Sequence, residues 1–138
     1  MSEGFPRLLG DIGGTHARWA WQPTANAALQ DIEVLPCSAS ASIEASARAY
    51  LERSGHRAPR WAGIGIATPV TGDRVQMTNH PWSFSIAELE RALGLERCLV
   101  INDFSALAMS LPALGPGDLQ SLGGGRAVDG AAIGLLGP

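Results

Sequence analysis

Three short stretches of this chain hold residues whose types and spacing suit chemistry. The first is Gly10-Asp11-Ile12-Gly13-Gly14-Thr15. Paired glycines let backbone N–H groups approach an anion closely, and Thr15 adds a hydroxyl, so the stretch reads as a phosphate-facing hairpin. It is neither a Walker A loop nor a Rossmann fingerprint: there is no Lys, the glycine spacing differs, and a strand rather than a helix should follow. A plain hairpin turn, with Gly13-Gly14 supplying positive φ, also fits the spacing. Asp11, expected inside a buried strand end, favours function, because an unpaired buried carboxylate is costly.

The second stretch is Asn102-Asp103, expected at the carboxyl end of a buried strand, where ligands gather in open α/β sheets. An Asp there can act as general base toward a substrate hydroxyl, with Asn102 beside it. Asp or Asn before a helical stripe is also a preferred N-cap, and the two roles are compatible. The third is Met77-Thr78-Asn79-His80-Pro81-Trp82, a mixture of amide, hydroxyl and ring that suits a sugar. It equally suits a β-to-α loop whose Pro81 and Trp82 cover the core. His80 is isolated, so no metal site is expected around it. No Ser-His-Asp set can be assembled, and no basic-aromatic stripe suggests single-stranded nucleic acid.

These residues need elements to position them. Leu8–Ile12 is an apolar run into a tight turn, and residues 17–21 alternate apolar and polar with a period of two. Ile32–Leu35 completes an expected β-meander. Ile43, Ala47, Tyr50 and Leu51 share one helical stripe that ends at Arg53-Ser54-Gly55. Trp61–Val70 reads as a buried strand, joined through the turn at 71–74 to a strand at Val75–Thr78 in a hairpin. Ser85-Ile86-Ala87-Glu88 fits a capping box, Phe84 can staple onto Leu89, and Gly94 stops that helix. Cys98–Ile101 is the next strand. A helix follows with Phe104, Leu107, Ala108 and Leu111 as its buried stripe, stopped by Pro112. After a glycine-rich loop, Ala131–Leu136 reads as a final strand cut off at Gly137-Pro138. A meander followed by strand–helix alternation predicts an α/β domain with a mixed sheet.

Composition narrows the function classes. With 138 residues the chain is one domain in size, and 46% hydrophobic with 17% charged residues is globular. A net charge of -3, with ten scattered basic residues that are all Arg, argues against a nucleic-acid partner. Cys37 and Cys98 stand alone, so reduced structural thiols are expected rather than a disulfide or zinc site. No apolar run approaches a membrane span, and the N-terminus does not read as a signal peptide. A cytoplasmic protein is expected.

Taken together, LLGDIGGTHARWAW, GIGIATPVTGDRVQMTNHPWSFSIAELERALG and LVINDFSALAMSLPAL resemble the bacterial glucokinases, in the sugar-kinase branch of the actin-like ATPase superfamily. The resemblance runs from about Leu8 to Pro138. It implies an actin-like ATPase lobe and transfer of the γ-phosphoryl group of ATP to the 6-hydroxyl of glucose, the entry to glycolysis. Asp103 then matches the catalytic base, and Asn102 a residue that holds the sugar. Asn79 and His80 border the sugar cleft. Gly10, Asp11, Ile12, Gly13, Gly14 and Thr15 match the first phosphate hairpin, with Asp11 near Mg²⁺. The family also implies a homodimer; the charge balance and the lack of a long apolar run imply no nucleic-acid or membrane partner. His16 departs from the family's usual Asn after GGT. The family continues further along the chain, into a second glycine-rich loop and a larger lobe. Residues 1–115 would then be the small lobe, and 116–138 the connection and first strand of the larger one, inactive by itself. Two alternatives stay open: a non-catalytic lobe that binds sugar or a partner, and a related sugar kinase of other hexose specificity.

Overall fold

The structure, a computed structural model, describes residues 3–137. Met1-Ser2 and Pro138, which closes the expected last strand, lie outside the described residues. In chain order the elements are β1 (Arg7–Ile12), β2 (His16–Gln22), β3 (Gln30–Pro36), α1 (Ile43–Ser54), β4 (Trp61–Ile66), β5 (Arg74–Gln76), β6 (Ser83–Ser85), α2 (Ile86–Ala92), β7 (Arg97–Asn102) and α3 (Asp103–Ser110). The first three strands form the antiparallel meander, and β4 and β7 then add in parallel to β1. The five-stranded order is β3-β2-β1-β4-β7, the expected mixed α/β sheet.

Strand alternation assigns the two faces. Leu8 and Ile12 of β1, Trp19 of β2, Ile64 and Ile66 of β4 and Val100 of β7 point into the core. There they meet Ile43, Ala47 and Tyr50 of α1 and Leu89 of α2. Inside this layer the indole Nε1–H of Trp19 donates to Ser46 Oγ of α1 at 3.0 Å, so a large buried ring keeps its polar atom satisfied. Burying side chains of this size contributes about 1.5–3 kcal/mol each.

The helix boundaries follow from caps. Ser42 Oγ accepts from the Ala45 amide at 3.0 Å, and Gly55 closes α1 with φ +75°. Ser85 Oγ accepts from the Glu88 amide at 3.1 Å, as the capping-box spacing predicts. Asp73 adds a second anchor to the start of α2. Its Oδ1 accepts from the Ala87 amide at 2.9 Å and its Oδ2 from Ser85 Oγ at 2.5 Å. These bonds hold the Asp73 carboxyl below its ordinary pKa.

Four expectations change. The strand from Trp61 stops at Ile66, because the Thr68 amide turns back to the Ile66 carbonyl at 2.8 Å and Pro69 has no N–H to offer. The 75–78 segment therefore does not pair with it. Instead β5 pairs with β6 in a separate two-stranded sheet. The apolar stripe of α3 is present but not buried: Phe104 is 41% and Leu107 47% exposed. Residues 131–136 form no strand, and Ile133 and Leu136 are exposed. An apolar run makes a strand only where a partner supplies hydrogen bonds, and among the described residues none lies alongside it.

Candidate functional site

The two strongest sequence candidates meet at one place. Because Ile12 points into the core, its neighbour Asp11 points out of the other face of the sheet. On that face α3 rests against β4 and β7. The helix starts close over Gly65: a Cβ there would stand in ordinary contact, 3.4 Å from Ala106 Cβ and 3.8 Å from Asp103 Cα. The result is a cleft of about 370 Å³ lined by Gly10, Asp11, Gly65, Asp103, Phe104, Ala106 and Leu107. Two carboxylates from separate strand ends thus line the same cleft at the carboxyl edge of the sheet.

Asn102 caps α3. Its Oδ1 accepts from the Phe104 amide at 3.0 Å and the Ser105 amide at 3.4 Å. Its Nδ2 donates to the Thr68 carbonyl at 3.1 Å and more loosely to that of Ile66 at 3.5 Å. Asp103 occupies the first helical position, where Oδ1 accepts from the Phe104 amide at 2.9 Å. Capping therefore falls to the amide side chain, and the acid is left partly exposed toward the cleft.

The hairpin differs from its sequence reading in two respects. Asp11 is not buried: its side chain is 63% exposed and lies 3.3 Å from Arg18 Nη1, its cross-strand partner. The cost of a buried charge thus gives no argument for function here; the shared cleft gives it instead. Neither Gly13 nor Gly14 has positive φ. Gly14 is glycine for a different reason, since a Cβ on it would lie 2.9 Å from Asn79 Cβ. Gly10 is confined on the core side, where a Cβ would meet the Trp19 ring at 2.7 Å. Ile12 is fully buried, and its carbonyl accepts from the Ala67 amide at 2.9 Å.

At the hairpin tip the Gly13 amide closes onto the His16 carbonyl at 2.9 Å. Among the described residues the amides of Gly14 and Thr15 donate to no backbone carbonyl. They border a groove of about 290 Å³ with Asp11, His16 and Arg18. Two amides without a backbone partner suit an anion, and the Arg18 guanidinium beside them is paired with the Asp11 carboxylate. Cys37 braces the tip from below: its amide donates to the Thr15 carbonyl at 2.8 Å, and its thiol sits 3.4 Å from the Gly13 carbonyl. Burial pushes the Cys37 thiol above its ordinary pKa, so it stays protonated. Cys98 is pushed up to about 12, first by burial and then by Glu90.

The third segment lies beside this cleft rather than in it. Asn79 abuts Gly14. His80 folds onto Trp82, its Nδ1 accepting from the Trp82 amide at 3.3 Å and its ring meeting the indole edge-on at 4.7 Å. Trp82 is buried, with Nε1 donating to the Ser40 carbonyl at 3.1 Å, as the core-cover reading expects. Sequence reasoning missed Thr68 and Asp73. Thr68 gave no signal beyond a polar residue near the end of an apolar run. Asp73 sits in a turn, where Asp is expected for local reasons alone.

Among the described residues no group of three or more His, Cys, Asp or Glu is set to hold a metal ion, and no helix is long and apolar enough to cross a membrane. The family profile described as Glucokinase matches residues 8–138. A glucokinase of Aromatoleum aromaticum is 49% identical over 99% of this chain and 42% of its own length. One from Chromobacterium violaceum is 46% identical over 100% of this chain and 39% of its own. The chain thus spans about 40% of the length of the curated relatives it matches. A solved glucokinase from an Antarctic psychrotroph superposes with TM-score 0.81 at 31% identity, covering 90% of this chain and 40% of that one. A glucokinase from Balamuthia mandrillaris in complex with glucose shares the fold, with TM-score 0.52 at 20% identity over 76% of this chain and 31% of that one.

Proposed function

The chain belongs to the glucokinase family, and from that premise we propose that it forms the catalytic-base and phosphate-hairpin lobe of an ATP-dependent glucose kinase. The observation that carries the reading is the shared cleft, in which Asp103 and Asp11 face the same space while Asn102 does the capping. Asp103 orients the 6-hydroxyl of glucose and takes its proton as the oxygen bonds to the γ-phosphorus of ATP and the bond from that phosphorus to the β-phosphate oxygen breaks, releasing ADP. General-base help of this kind contributes typically ~10²–10⁴ in rate. Asn102, Asn79 and His80 form the sugar side. The Gly14 and Thr15 amides receive phosphate oxygens beside the Arg18–Asp11 ion pair.

The donor set fits Mg²⁺, which keeps several waters and uses one or two carboxylates together with substrate phosphates rather than an all-protein cage. Asp11 is the exposed carboxylate that would hold it. When bound, the ion supplies neutralisation of phosphate charge. Residues 1–115 make the small lobe in this reading, and 116–138 lead toward a larger one, in a cytoplasmic and homodimeric enzyme. The test is a coupled measurement of glucose 6-phosphate formation with ATP and Mg²⁺. The protein expressed from its complete coding sequence is compared with the 138-residue polypeptide. Turnover is expected from the first and not from the second; no turnover from the first sinks the reading.

A further inference from the structure

A buried hydroxyl lies where the three candidate segments join. Thr68, 3% exposed, follows the end of β4. Its carbonyl accepts from Asn102 Nδ2 at 3.1 Å. Its Oγ1 donates to the Gln76 carbonyl, at the end of β5, at 3.0 Å and lies 3.0 Å from Thr78 Oγ1. A hydroxyl carries one proton, and a carbonyl can only accept. With the Thr68 proton on Gln76, the bond between the two threonines is donated by Thr78. Thr78 leads directly into Asn79, which presses on Gly14 of the hairpin.

The same logic fixes the Asn102 amide. The carbonyls of Thr68 and Ile66 only accept and the α3 amides only donate, so Nδ2 must face β4 and Oδ1 must face α3. We propose that Thr68 is a positioning residue for sugar binding, holding the 77–82 loop through its hydroxyl and the Asn102 amide through its carbonyl. Both halves of the sugar side then keep one register. The role in sugar binding rests on the kinase reading above; the coupling of the two segments does not.

Thr68→Val keeps the shape and the carbonyl but leaves the Gln76 carbonyl and the Thr78 hydroxyl without their partner; Thr68→Ser restores it. In the protein expressed from its complete coding sequence, Thr68→Val should raise KM for glucose about threefold to tenfold, the worth of one net hydrogen bond. KM for ATP should stay within about twofold, because the hairpin tip is closed by its own Gly13–His16 bond. Thr68→Ser should return both values to those of the parent, and Thr78→Val should reproduce the glucose effect. An equal rise in both KM values, or a lower Tm with KM for glucose unchanged, overturns the proposal. Amide exchange on the same proteins without substrate reads the coupling independently of activity. Peptides covering 77–82 and 102–106 should exchange faster together in Thr68→Val and recover in Thr68→Ser. Faster exchange in 77–82 alone overturns the coupling. If the parent does not phosphorylate glucose, the kinase reading falls, and the exchange result alone decides what Thr68 does.

Discussion

Asp103→Asn separates chemistry from capping, because Asn102 already supplies the cap through two backbone amides at 3.0 and 3.4 Å. An amide at position 103 still offers an oxygen to the Phe104 amide, now 2.9 Å from the carboxylate. What disappears is the negative charge in the first turn of α3, worth about 0.3–1 kcal/mol against the helix dipole. At about 2–4 °C per kcal/mol, Tm should fall by no more than about 4 °C. Removal of a general base is of a different order, ~10²–10⁴ in rate, or about 2.7–5.5 kcal/mol of transition-state stabilisation. The assay is glucose 6-phosphate formation with ATP and Mg²⁺ in the protein expressed from its complete coding sequence, with thermal melts on the same preparations. Asn102→Ala is the control, since it deletes the cap and the donations to Thr68 and Ile66, costing about 1 kcal/mol or more. The reasoning is refuted if Asp103→Asn keeps its rate within a few-fold of the parent. It is refuted equally if the rate falls only in step with a Tm loss as large as that of Asn102→Ala.

Two further outcomes follow from the geometry. Gly14→Ala places a Cβ 2.9 Å from Asn79 Cβ, so it should cost about 1–3 kcal/mol in a urea melt, whereas Gly13→Ala, with only the His16 carbonyl at 3.5 Å, should cost far less. Equal losses would return both residues to simple turn formers. Asp73 has a folded pKa below its ordinary 3.8, so its contribution is complete above that value and is lost as pH falls through the folded one. The stability difference between parent and Asp73→Asn should therefore be constant from neutral pH to about 5 and vanish on acidification; a difference independent of pH down to about 2 would contradict this.

The meander, α1 and α2 were legible because each has a local cause: alternation of period two, a serine whose Oγ reaches an amide three residues on, a glycine at φ +75°. Asp11 was misjudged by one step of the pleat. Ile12 beside it is fully buried, so Asp11 must face outward, and a strand assigned as buried throughout hides that alternation. The α3 stripe shows the limit of periodicity, which reveals an apolar face but not what lies against it. The β5–β6 pairing escaped because both strands are three residues long, too short for any period. Within the site, the Asn102-Asp103 pair was visible as a pair, but the division of labour between them depends on bonds to Thr68, 34 residues earlier. Gly14 looked like backbone freedom and is clearance.

Gly65 lies beneath the start of α3, where β4 presents only a hydrogen, with Ala106 Cβ and the Asp103 α-carbon beyond it. An alanine methyl would fill that clearance in ordinary contact at 3.4 Å, so there is room for one methyl and no more. A bulkier side chain would have to lift the start of α3. Substitution by residues larger than alanine at position 65 therefore offers a way to displace the acid while leaving its own chemistry unchanged.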